Sequence, residues 1–329
     1  VTALLHPFRK RPGVAITVTS LLILALVLAL AWRWSRWPPL YLESSQGSDL
    51  PSVAGYVTVD TLIETIDWLL DKPGGYLSND IFPPSLWLDN MPRFEFGVLV
   101  QARDLARILR NDYGRARARP AENSELAMAD TALNVPYDSW ILPSTESRLR
   151  DAREALVAYR ATLVSLGERD AEFFADAENL REWLAVVERR LGDLSQRLAA
   201  SVARTQGEAL AGAAAGTALA ELTSTPVPAT RWIEIDDVFF EARGSAWALL
   251  QFLAAAEIDF ESDLADRNAL PTLRRIRRDL EGALAPLMSP LILNGGGYGL
   301  FANHSLVLAS YLSRAHAAVV ELRGLLGPL

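Results

Sequence analysis

Between Val14 and Ala31 the chain runs for 18 residues without a charged side chain, and its centre is Leu21-Leu22-Ile23-Leu24-Ala25-Leu26-Val27-Leu28. As a helix this stretch is ~27 Å long at ~1.5 Å per residue, enough for a slightly short bilayer span. Apolar residues cover every face, which disfavours a buried helix of a soluble body. Trp32, Trp34 and Trp37 follow directly, with Tyr41 soon after, and amphipathic rings there suit a membrane–water interface. A cleavable signal sequence is the alternative, since a basic cluster precedes the run and Ala29-Leu30-Ala31 fits a small-residue cleavage site. The run is longer than an ordinary signal core, however, and tryptophans stand where a polar flank belongs. The sequence therefore predicts an uncleaved transmembrane helix over 14–36.

Arg9, Lys10 and Arg11 flank this helix on one side and Arg33 and Arg36 on the other. Positive residues favour the cytoplasmic side, which puts residues 1–13 inside and the bulk of the chain in the periplasm of a bacterial inner membrane. The formal net charge is −8, and the five basic residues up to Arg36 leave −13 for the remainder. An acidic body of that kind argues against nucleic-acid partners, which need a basic footprint. The chain has no cysteine and three histidines, so disulfides, thiol nucleophiles and Cys-ligated metals are excluded and other metal sites disfavoured. No cofactor is expected.

Residues 37–57, with Pro38-Pro39 and the polar run Ser44-Ser45-Gln46-Gly47-Ser48, read as a tether to a helical domain over 58–329. Thr61 and Glu64 have capping-box spacing at the start of a short helix with Leu62, Ile66, Leu69 and Leu70 on its apolar face. Pro73-Gly74-Gly75 ends it. Residues 72–92 combine four prolines with Tyr76, Phe82 and Trp87, which implies an irregular but packed segment. A helix from about Arg93 to Asp112 follows, burying Phe94, Val98, Leu105 and Leu109, and residues 114–136 read as a loose connection. Ser144 is placed to cap the next helix.

Two heptad stripes come next. Leu149, Ala152, Leu156, Tyr159, Leu163 and Leu166 form one; Phe173, Ala177, Leu180, Leu184, Val187, Leu191, Leu194 and Leu198 form the other. Gly167-Glu168-Arg169-Asp170 between them predicts an antiparallel hairpin over 144–204 whose two seams bury each other. Residues 205–230, weakened by Gly212 and Gly216, read as a mobile loop. Asp236 and Asp237 open a helix through Trp247, Leu250 and Leu253; another spans about 272–284 with Arg274, Arg275, Arg277 and Arg278 on its outer face. The last runs from about Asn303 to Leu325. No convincing strand appears, so the expected fold class is all-α, a transmembrane helix followed by a helical bundle.

Several stretches, among them LLDKPGGYLSNDIFPP (69–84), WLDNMPRFEFGVLVQARDLARILRND (87–112), SWILPSTES (139–147), NLREWLAVVERRLGDLSQRLAASV (179–202), IEIDDVFFEARGSAWALL (233–250) and LILNGGGYGLFANHSLVLASYLSRA (291–315), resemble a family of uncharacterised proteobacterial inner-membrane proteins known as a domain of unknown function. That resemblance implies a single N-terminal anchor and supplies no catalytic residues.

Three sets of residues are candidates for function. Tyr76, Asp80, Phe82, Trp87 and Asp89 join rigid rings to polar anchors, as interface hot spots do, and mark a candidate partner surface. Asn294, Gly295, Gly296, Gly297 and Gly299 precede a helix and could cradle an anion, though they lack the Lys-Ser/Thr of a phosphate loop. Arg9, Lys10, Arg11, Trp32, Trp34 and Trp37 mark the membrane interface. For catalysis the raw material is thin: Asp236, Asp237 and Glu241 suit a helix N-terminus, and His304 and Ser305 point about 100° apart on one helix. The expectation is a non-enzymatic adaptor or accessory subunit with the bilayer and an inner-membrane or periplasmic protein as partners. A binding module for lipid or another hydrophobic ligand is the alternative, and an envelope hydrolase the third.

Overall fold

The computed structural model of the chain describes residues 12–46, 51, 53–114, 122–166, 173–213, 235–287, 292 and 303–327. Among these residues the protein is all-α. The helices are α1 (Pro12–Trp34), α2 (Tyr56–Asp71), α3 (Asn90–Ile108), α4 (Ser124–Leu133), α5 (Thr145–Leu166), α6 (Ala177–Ala213), α7 (Ile235–Asp259), α8 (Glu261–Asp266), α9 (Leu270–Ala283) and α10 (His304–Leu325). A π-helical turn, Leu109–Tyr113, prolongs α3.

The centre of the body is α7. From Ala242 to Ala256 every residue is buried, the largely apolar stretch being covered on all sides with Arg243, Ser245 and Gln251 as its buried polar members. Trp247 and Phe252 lie almost wholly out of solvent, and burying a side chain of that size stabilises by roughly 1.5–3 kcal/mol. Helices α3 and α7 run parallel in close contact. A Cβ on Gly97 would sit 2.1 Å from the Glu241 carbonyl oxygen, and one on Gly244 would sit 2.0 Å from that of Phe94. At their other ends the Tyr113 and Phe260 rings meet at 5.3 Å. Helix α2 lies antiparallel to α7, with Trp68 at Trp247 and Thr58 at Asp259. On α2 in turn rests α5, also antiparallel, through Arg153–Asp67 and Arg160–Asp60 ion pairs. Arg190–Asp104 ties α6 to α3, and α10 packs between α6 and α9.

Each element's direction follows from these pairs, and together they give the body two ends. One end collects the C-termini of α2, α4 and α9 and the N-termini of α3, α5, α7 and α10. At the far end Tyr113, Phe173 and Phe260 form an aromatic cluster with centroids 5.1–6.0 Å apart. There Asp259, at the end of α7, accepts from Thr58 N (2.7 Å) and Oγ1 (2.6 Å) and so caps α2.

Several expectations from sequence are corrected. The heptad stripes are buried from Leu149 to Leu163 and from Phe173 to Leu198, but they do not form a hairpin that buries itself. Helix α5 packs on α4 and α2, whereas α6 packs along α10, and the two make no extensive contact with each other. A heptad stripe fixes that a face is covered and leaves open what covers it. The partner of α5 lies in the stretch expected to be a loose connection. There Asn123 accepts from Glu125 N and Leu126 N at 3.1 Å and starts α4, whose Leu126, Ala129 and Leu133 are buried. The turn at 167–170 lies outside the described residues. Phe173 is buried but precedes α6, which Asp176 begins by accepting from Asn179 N at 2.8 Å. Helix α6 then runs on to Ala213, so 205–213 is helix rather than loop, in keeping with its alanines. Residues 214–230 are outside the described residues. Thr61 and Glu64 do not cap α2, which starts five residues earlier at Tyr56; Thr61 is buried mid-helix.

Candidate functional site

The apolar helix α1 leaves the body at the end where α2 stops and α3 and α7 begin. Residues 16–34 of α1 are long and apolar enough to cross a membrane, and none of that stretch is buried in the protein. The ring of Trp34 lies on Gly74, where a Cβ would come within 2.7 Å of the indole; at φ +95° that position already favours glycine. Ser35 Oγ donates to the Ala31 carbonyl at 2.8 Å, and Trp37 then stacks on Phe240 with centroids 5.4 Å apart and planes at 8°. Trp32 points away from the body, 69% exposed, with the Arg36 guanidinium 4.7 Å from its ring centroid. Arg9, Lys10 and Arg11 fall outside the described residues.

The segment expected as a tether is strapped to the body along residues 37–46. Trp247 Nε1 donates to the Pro39 carbonyl at 2.8 Å. Gln251, fully buried in α7, donates to Leu40 O (2.8 Å) and accepts from Leu42 N (2.9 Å) and Ser45 Oγ (3.1 Å). Glu64 of α2 accepts from Ser44 N (3.1 Å) and Oγ (2.6 Å). Tyr41 donates to Glu281 of α9 and accepts from Arg277 Nη2. Burial, followed by the Glu281 hydrogen bond, raises the Tyr41 pKa. Ser44 and Ser45, read from sequence as part of a solvated linker, are therefore buried and bonded.

Beside the strap, the loop after α2 is organised around a buried charge pair. Lys72 Nζ lies 2.5 Å from Glu95, with both side chains almost completely buried. The carboxylate also accepts from Leu77 N (3.0 Å), Ser78 N (2.8 Å) and Ser78 Oγ (2.6 Å). Burial raises the Glu95 pKa and Lys72 opposes it. Tyr76 is buried rather than presented to a partner; its hydroxyl donates to Tyr137 O at 2.7 Å, and burial pushes its pKa well up. Asn79 Nδ2 donates to Ser139 O (2.8 Å) and to Glu146 (2.6 Å), which joins this loop to residues 134–144. Asp89 accepts from Asn90 N at 2.9 Å and starts α3, while partial desolvation raises the pKa of the largely exposed Asp80.

Of the expected partner surface, Phe82 and Trp87 are strongly exposed, and Asp80 and Asp89 are exposed beside them. Residues not singled out from sequence extend this patch: Ile81, Trp140, Ile141 and Leu142, the last 95% exposed. Their signal in the sequence is four apolar residues in succession, Trp140-Ile141-Leu142-Pro143.

A pocket of about 360 Å³ opens under the strap, lined by Trp37, Leu40, Trp247, Leu284 and Leu287 together with Arg243 and Glu281. Arg243 donates to the carbonyls of Ala283, Leu284 and Ala285 at 3.1 Å and so closes the C-terminus of α9. Burial lowers its pKa to about 10. Of the carboxylates considered for catalysis, two are held by arginines, Asp237 by Arg93 at 2.7 Å and Glu241 by a bidentate contact from Arg197 at 2.7 Å, while Asp236 accepts from Asp237 N at 3.1 Å. Burial raises the pKa of Asp236 and of Asp237. His304 lies with its ring centroid 6.5 Å from that of Phe239. Among the described residues no cluster of three or more His, Asp or Glu side chains could hold a metal ion. Asn294, Gly295, Gly296, Gly297 and Gly299, the expected anion turn, lie outside the described residues.

Neither a curated protein nor a solved structure matches the chain. The profile of one family, described as an uncharacterized protein conserved in bacteria (DUF2333), matches residues 9–328. With the apolar leading helix, the strap and the helical body all inside that match, the chain belongs to the DUF2333 family.

Proposed function

We propose that the chain is a membrane-anchored, non-catalytic adaptor or accessory subunit of a bacterial inner-membrane complex. In this reading α1 spans the bilayer with its N-terminus in the cytoplasm, and the helical body stands in the periplasm. The observation that carries it is the junction between anchor and body. A flexible tether would suit a domain that searches for soluble partners. Here α1 passes into a strap held by α2, α7 and α9 at once, which fixes the height and orientation of the body over the membrane. A subunit that docks beside other membrane proteins needs that fixed placement, because preorganisation lowers the ordering cost of binding.

The test is extraction of the tagged protein in mild detergent, followed by native mass spectrometry of what accompanies it. A stoichiometric protein partner is expected, and loss of that partner on releasing the strap would tie it to the junction. A second reading, a binding module for a hydrophobic ligand, is favoured by the pocket under Trp37 and Leu40. Protein emerging alone with bound lipid mass would replace the adaptor reading with that one.

A further inference from the structure

Six large apolar side chains stand exposed on two neighbouring loops, and the fold places both loops at the end of the body from which α1 departs. Exposure is 74% at Phe82, 63% at Trp87, 56% at Trp140, 63% at Ile141 and 95% at Leu142, with Ile81 beside them. The loops are one unit, since Tyr76 and Asn79 of the first bond to Tyr137 and Ser139 of the second. Trp34, the last residue of α1, rests on Gly74 at the root of the first loop. We propose that these tips are a second membrane contact, dipping into the interfacial zone of the same bilayer that α1 spans. The inference rests on α1 being a membrane anchor.

Three features favour lipid as the occupant. Position is the first, because a body locked to its anchor at this end must present this end to the bilayer. Residue type is the second: Trp, Phe, Leu and Ile partition into the interface, and no Lys or Arg occurs in 73–92 or 134–147. Attraction would therefore come from apolar transfer and persist on an uncharged bilayer at high salt. Backbone chemistry is the third. A loop entering an apolar layer must satisfy its own polar groups. Here Phe82 O accepts from Ser85 Oγ (2.6 Å), Trp87 N donates to Pro84 O (2.9 Å) and Leu88 N to Ser85 O (2.8 Å). In the second loop Ser139 Oγ donates to Ile141 O (3.2 Å) and Pro143 O (3.0 Å). Pro83, Pro84 and Pro143 bring no N–H that would need a partner.

The natural chain has no cysteine, so single labels can be placed without background. Phe82→Cys, Ile141→Cys, Leu24→Cys in the span and Val164→Cys at the far end would each carry an environment-sensitive dye. The full-length protein would be reconstituted into phosphatidylcholine vesicles with and without spin-labelled lipid. Blue-shifted emission and strong quenching by the spin-labelled lipid are expected at 82, 141 and 24, with neither at 164. Quenching at 24 with 82 and 141 behaving like 164 overturns the second contact and leaves the anchor standing. No quenching at 24 removes the anchor and the inference with it. Shielding of the tips that grows with protein density instead of lipid would assign them to a second copy of the chain and overturn the inference.

Discussion

Replacing Gln251 with leucine would cut the strap from the central helix while leaving the packing nearly unchanged. The side chain is fully buried, and its amide makes three hydrogen bonds to the strap: to Leu40 O, Leu42 N and Ser45 Oγ, at 2.8, 2.9 and 3.1 Å. Each contributes a net ~1 kcal/mol. Their joint loss should lower the free energy of local strap opening by ~3 kcal/mol. At about 1.4 kcal/mol per decade this is roughly a 100-fold rise in the open population. Amide exchange reads such opening directly. Hydrogen–deuterium exchange of the detergent-solubilised Gln251→Leu protein should show the Leu42 amide exchanging about 100-fold faster, with Leu249 and Leu253 of α7 unchanged. Equal uptake at Leu42 in both proteins would refute the claim that Gln251 holds the strap. Faster exchange throughout α7 would mean that the substitution damages the core instead.

Burial pushes the Asp259 carboxyl from its ordinary 3.8 up to about 6, against the hydrogen bonds from Thr58. The folded state binds this proton more tightly than the unfolded one. The stability it contributes, ~3 kcal/mol, is therefore full below about pH 4 and lost as pH rises through 6. Asp259→Asn should flatten the difference in denaturation midpoint between pH 4 and pH 7; an unaltered difference would contradict the assignment. Gly97→Ala forces a methyl to within 2.1 Å of the Glu241 carbonyl oxygen. It should cost ~3 kcal/mol by parting α3 from α7, and an unchanged melting temperature would show that the two helices are not held this close. Lys72→Met leaves Glu95 buried without its cation, a loss of ~3 kcal/mol at pH 8. That loss should shrink at pH 5 as Glu95 takes up a proton, and urea titrations at the two pH values would reveal a pH-independent loss if the pair is not the cause.

The parts of the fold that were legible in the sequence are those set by local patterning. The uncharged run gave α1, Asn303 and the residues after it gave α10, and the arginine-lined amphipathic stretch gave α9. What was not legible depends on the other helices. The stripe Leu149–Leu163 cannot say whether α4 or α6 covers it, and α4 itself was obscured by the arginines preceding it. Ser44 and Ser45 have linker composition, but Glu64 and Gln251 that bond them lie 20 and 206 residues away. Tyr76 and Phe82 look alike as loop aromatics, and only the acceptor at Tyr137 O separates the buried ring from the exposed one. Exposure of Trp140 and Leu142 is likewise a property of where two loops meet.

The strap also sets a rotational phase. Successive residues of a helix turn by about 100°, and from Trp34 to Trp37 only two residues separate the ring on Gly74 from the ring on Phe240. The face of α1 that carries Trp32 therefore keeps one bearing relative to α7 and to the loops at 81–87 and 140–142. One residue inserted at Ser35 would turn α1 by about a quarter of a circle against an unmoved body. In the proposed complex, any membrane helix that pairs with one side of α1 would consequently meet one side of the body, with the bearing set at Trp34 and Trp37.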